Sequence, residues 1–113
     1  MEKDCADEVR NLIKQYKKEN IVFGKPLDFL LPRIKISKEE IENEIISCNN
    51  LSLAKKQVKD GEIRYALFFV YGKKKGREYI ITFRDYNLRI ITAFPLGRKT
   101  LKKYRKKDLN IAK

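Results

Sequence analysis

The hydrophobic period of this chain changes at Leu51. Before it, apolar residues recur at helical spacing: Val9, Leu12, Ile13 and Tyr16 fall at i, i+3, i+4 and i+7, and Ile41, Ile45 and Cys48 line one face of a later segment. After it, apolar and polar residues alternate with the two-residue repeat of a half-buried strand. Helical stripes followed by a run of strands define an α+β chain.

The first stripe predicts a helix over 7–18, with Lys14, Lys17 and Lys18 towards the C-terminal end, where the helix dipole favours cations. The segment FGKPLDFLLPRIKIS holds a glycine and two prolines and reads as an irregular, partly buried connection. SKEE opens the second helix. Ser37 and Glu40 have capping-box spacing, and CNN closes it.

Turn signals divide the remainder into strands. Asp60-Gly61 is a two-residue hairpin turn, GKKKG at 72–76 closes the next hairpin, and DYN at 85–87 the last. The expected fold is α+β, with two N-terminal helices packed on a four-stranded antiparallel β-meander and a basic C-terminal segment. It forms a single domain over 1–113: a helical region over 1–50, the sheet over 51–95 and the basic segment over 96–113. A chain of 113 residues supports one modest core.

Register sorts residues onto faces. With Asp60-Gly61 as the first turn, Gln57 lies opposite Arg64. With Tyr71 facing Arg77, Arg64 lies opposite Arg84; with Tyr86-Asn87 as the last turn, Arg84 lies opposite Arg89. One face then carries Val58, Ile63, Tyr65, Leu67, Phe69, Tyr71, Tyr79, Ile81, Phe83, Leu88, Ile90, Thr92 and Phe94, a core for the helices to cover. The other carries Leu53, Lys55, Ala66, Phe68, Ile80, Thr82, Ile91 and Ala93, with Arg64, Arg84 and Arg89 in one row and no acid among them. Three such cations repel one another and need an anion between them, although arginines at strand ends are commonly just solvated.

Charge is distributed very unevenly. Residues 1–50 hold 9 Lys/Arg and 10 Asp/Glu, a net of −1; residues 51–113 hold 18 and 5, a net of +13. The second half therefore faces a polyanion. Nucleic acid, RNA or DNA, ranks first, ahead of an acidic protein or anionic lipid. Candidate nucleic-acid-binding residues are Lys55, the loop Lys73, Lys74 and Lys75, and the tail Arg98, Lys99, Lys102, Lys103, Arg105 and Lys106. Tyr104 stands inside the tail's cationic cluster, as an aromatic that stacks on bases would. The bland readings are a solvated hairpin tip and a solubilising tail.

The chain has no histidine, and Cys5 and Cys48 do not have metal-ligand spacing. A zinc site and histidine acid–base chemistry are excluded, no metal or cofactor is expected, and the cysteines read as two thiols rather than a disulfide. No apolar run approaches the length of a membrane span. The acidic, polar start is unlike a signal peptide, so the expected location is cytoplasmic.

Helices, an antiparallel meander and then a basic segment with a tyrosine resemble the RelE/ParE-like toxin superfamily, particularly its BrnT-like branch. The resemblance spans roughly 28–107 and rests on ISKEEIENEI, RYALFFVYGKKKGREYIITF and LRIITAFPLGRKTLKKY. It implies a metal-independent endoribonuclease, the toxin of a toxin–antitoxin pair, in which the ribose 2′-hydroxyl attacks the adjacent phosphate. Arg64, Arg84 and Arg89 would clamp that phosphate, and Tyr104 or Lys55 would assist proton transfer or hold a base. It also implies an acidic antitoxin covering the cationic face. Several relatives carry a histidine near the position of DFLLPR, which this chain lacks. The alternative is a non-catalytic nucleic-acid-binding protein using the same surface.

Overall fold

A computed structural model describes residues 4–24, 31, 32, 34–71 and 75–97. Helix α1 (Ala6–Ile13) is followed by a 3-10 turn at Lys18–Asn20 and a short strand β1 (Ile21–Phe23). Helix α2 (Lys38–Ser47) precedes strands β2 (Leu51–Lys59), β3 (Glu62–Val70), β4 (Gly76–Arg84) and β5 (Asn87–Leu96).

The expected four-stranded antiparallel meander is incorrect. The sheet has five strands in the order β1-β5-β4-β3-β2 and is mixed, because β1 joins β5 in parallel, with Val22 beside Arg89. Ile21–Phe23 runs into the segment read as irregular, which begins at Phe23. Three residues are too few to display alternation, and the pairing partner lies more than sixty positions along the chain.

Helix α1 also ends earlier than its stripe implies. The amides of Gln15 and Tyr16 turn back to the carbonyls of Leu12 and Ile13, which frees Tyr16 to pack on Phe83 at 5.1 Å between ring centroids. Helix α2 begins as expected: Glu40 N donates to Ser37 Oγ and Ser37 N to Glu40 Oε1, at 3.1 and 3.2 Å. It ends at Cys48, which adopts the left-handed conformation (φ 55°) as its C-cap.

Helices α1 and α2 cover one sheet face. Val9 and Ile13 of α1 and Ile41 and Ile45 of α2 bury against Leu67, Phe69, Tyr79, Ile81, Leu88 and Ile90. Each such side chain contributes about 1.5–3 kcal/mol of hydrophobic stabilisation. Asp4 ties α1 to the β2 edge: its Oδ1 accepts from Ala6 N and Ala54 N, and Cys5 N donates to Ala54 O. Val58 and Ile63 share the helix face as a cross-strand pair, but the β2–β3 hairpin reaches beyond the helices and leaves them 71% and 46% exposed. Cys5 and Cys48 are separate thiols.

The opposite face has a smaller apolar cluster of Leu53, Ala66, Phe68 and Leu96. A bulge between the Ile80 and Ile81 pairings of β4 with β5 exchanges the faces downstream of Ile91. Thr92 and Phe94 consequently leave the helix face and Ala93 enters it, the reverse of the expected assignment. Among the described residues, no helix is long and apolar enough to cross a membrane.

Candidate nucleic-acid interface

The first hairpin sets the site's register. Asp60 and Gly61 both have positive φ (52° and 78°), as a two-residue turn that follows the sheet twist requires, and Gln57 pairs with Arg64 as expected. The next two registers each differ from expectation by two residues. Phe69, not Tyr71, faces Arg77, because Tyr71 N already closes the hairpin on Lys75 O at 3.0 Å. The last turn is centred on Asp85 and Tyr86 (φ 53° and 65°), so Arg84 pairs with Asn87 rather than Arg89. Asn87 is the residue more at home in a left-handed turn, which is why the sequence points one place too far.

A two-residue shift moves a side chain along its strand without changing its face. Arg64, Arg84 and Arg89 therefore share the face opposite the helices but not one row. Thr82 pairs with Arg89 in one row, and Arg64, paired with Gln57, falls in that row by register. Arg84 falls in the next row with Glu62, the partner of Lys59. Lys55 lies on the same face, one row nearer the apolar cluster, paired with Ala66.

The expectation that no acid stands among the arginines is also incorrect. Arg64 Nε donates to Glu62 Oε1 at 2.8 Å, and Arg84 Nη1 lies 3.8 Å from Glu62 Oε2. The Arg64 hydrogen bond, reinforced by the charges of Arg64, Arg84 and Arg89, holds the Glu62 carboxyl below its ordinary range, with partial burial acting the other way. Asp85, at the outer edge, lies 3.8 Å from Arg84 Nε. Glu62 was legible in the sequence, since it is two residues from Arg64 on one strand and must share its face.

These side chains bound a hollow of about 210 Å³ lined by Glu62, Arg64, Thr82, Arg84, Arg89, Ile91 and Gly24. It is smaller than the ~300–1,000 Å³ pockets that enclose drug-sized ligands and suits a single anionic group. Thr82 is buried, its hydroxyl donating to Ile63 O at 2.8 Å, and braces β4 against β3 beneath the hollow. Three guanidinium groups from three strands face one carboxylate there, which leaves excess positive charge in a partly desolvated recess. Guanidinium is suited to phosphate, offering paired donors in a fixed plane. Gly24 had no signal in the sequence, because its place depends on β1.

Lys75 is exposed at the hairpin end, on the opposite side of the sheet length from the hollow. Lys73, Lys74, Arg98, Lys99, Lys102, Lys103, Tyr104, Arg105 and Lys106 lie outside the described residues. Among the described residues, no cluster of three or more His, Cys, Asp or Glu could hold a metal ion.

A second polar cluster lies on the helix side. Glu44 of α2 accepts from Arg77 Nε and Nη2 at 3.1 and 3.0 Å and from Tyr79 Oη at 2.7 Å. Arg77 also donates to Tyr71 Oη at 2.9 Å and stacks over its ring. Burial, then the bond to Glu44, pushes the Tyr79 hydroxyl far above the ordinary tyrosine value. These bonds brace α2 on the sheet. No family model, curated protein or solved structure matches the chain.

Proposed function

We propose that this protein binds nucleic acid through the sheet face opposite its helices, seating one backbone phosphate in the hollow between Arg64, Arg84 and Arg89. The observation that carries this reading is the convergence of three arginines from β3, β4 and β5 on one recess of about 210 Å³. The excess of positive charge over 51–113 supports it, since neighbouring cations would track the backbone on either side. The test is a titration of labelled single-stranded RNA and DNA at several salt concentrations. Replacing all three arginines by alanine should weaken binding and reduce the slope of log affinity against log salt by roughly 0.7 per lost single-strand phosphate contact. An unchanged slope would sink the reading.

One observation favours a catalytic extension, a metal-independent endoribonuclease of the RelE/ParE-like toxin kind, with an acidic protein covering the same face. Glu62 puts an ionised carboxylate beside the phosphate clamp, where a base for the ribose 2′-hydroxyl would stand. The guanidinium groups would stabilise the charge gained by the phosphorane-like transition state. The depressed pKa of Glu62 makes it a weak base and weighs against a fast reaction. Incubating metal-free protein with labelled RNA separates the readings: cleavage abolished by Glu62→Gln supports the enzyme, and intact RNA leaves the binder.

A further inference from the structure

We infer that Gly24 is the positioning residue of Arg89, and that β1 joins the sheet edge at the point where this contact is made. Arg89 and Val22 are partners across the parallel β1–β5 pair, so Gly24, two residues beyond Val22, follows on the face that carries Arg89. Gly24 N donates to Ile90 O at 2.7 Å, which holds the glycine against β5 just past the end of the strand. A Cβ on residue 24 would stand 3.2 Å from Arg89 Nε, 3.1 Å from Ile90 O and 3.4 Å from Ile91 Cα. The Arg89 side chain thus passes tightly beside the position that a Cβ would take.

The backbone at Gly24 is outside the left-handed region, where Gly61 lies among the described glycines. Its φ is open to other residues, so glycine is favoured here by the tight space and not by its φ. With a Cβ present, the Arg89 Nε and the Ile90 carbonyl would each have to give by a few tenths of an ångström, which the flexible arginine side chain does more readily than the backbone. Arg89 would then line the hollow in a shifted position.

The placement of Arg89 stands on geometry alone; its consequence for binding rests on the proposed phosphate site. In the free protein, Gly24→Ala should shift the Arg89 Nε–Hε resonance while the amide signals of Val22 and Ile90 keep the pattern of paired strands. An unmoved resonance would overturn the inference. If Gly24→Ala is less stable, adding Arg89→Ala should offset some of the loss, because the crowding partner has gone. A loss equal to the sum of the two single changes would place the crowding at the Ile90 carbonyl and also overturn it.

For binding, Gly24→Ala should weaken affinity for single-stranded RNA by no more than Arg89→Ala does, and the double variant should bind no more weakly than Arg89→Ala. Fully additive losses would show that Gly24 acts elsewhere. Failure of the wild-type protein to bind RNA or DNA would remove the functional reading, while the resonance and stability measurements would still decide how Arg89 is placed.

Discussion

Arg77 meets Glu44 through two parallel N–H···O contacts, Nε at 3.1 Å and Nη2 at 3.0 Å, and so locks α2 to β4. The pair is largely withdrawn from water, with 21% of the Arg77 and 10% of the Glu44 side chain exposed. Removing one partner leaves the other charge in a poorly solvated place. Glu44→Ala should therefore cost about 3 kcal/mol, measured by chemical denaturation. A loss as small as that of an exposed ion pair would mean that water replaces Glu44 without penalty.

The role of Glu62 separates binding from catalysis. If the hollow only holds a phosphate, Glu62 opposes it by charge, and Glu62→Gln should tighten RNA binding. The same gain should appear as pH falls through the depressed range of this carboxyl, below its ordinary 4.5. Stability runs in the opposite direction: a carboxyl with a lowered folded pKa stabilises the fold above its unfolded value, and that contribution is lost as pH falls. Weaker binding by Glu62→Gln would show that the carboxylate contacts the ligand favourably.

Tyr65 predicts an alkaline transition. Burial, then its 2.8 Å hydrogen bond to Glu8 and the Glu8 charge, push the hydroxyl from the ordinary 10 up to about 12. The neutral form is favoured in the folded state, so its contribution is complete below pH 10 and lost as pH rises towards about 12. A phenolate absorbance titration of wild type against Tyr65→Phe should lose one late-titrating group. A wild-type Tyr65 titrating near its ordinary value would contradict the Glu8 contact.

Thr92 offers a stabilising substitution. Its Oγ1 is buried and, among the described residues, has no hydrogen-bond partner. Thr92→Val keeps the branched shape that β5 accommodates and removes a hydroxyl that lost its water on folding. Stability should rise by up to about 1 kcal/mol, read as a higher denaturation midpoint. A clear destabilisation would show that the hydroxyl is satisfied.

Much of the local structure was legible because it depends on neighbours in the chain. The Ser37–Glu40 cap needs residues three apart, and the Asp60-Gly61 turn needs two residues that tolerate positive φ. Alternation along β3 and β4 likewise placed Arg64 and Arg84 on the face away from the helices. Glu62 could have been placed with them by the same rule.

Spacing along the chain was thus enough to establish the helix-to-strand switch at Leu51, the Ser37–Glu40 cap, the Asp60-Gly61 turn, and the sign and location of the charge. It was not enough for the two-residue registers, the bulge that exchanged Thr92 and Ala93, or the parallel addition of Ile21–Phe23 that brings Gly24 against Arg89. These features arise in the folded molecule from pairings between distant segments. Their energies depend on which backbone groups and side chains meet across the sheet, and the pattern of one strand carries no record of its partner.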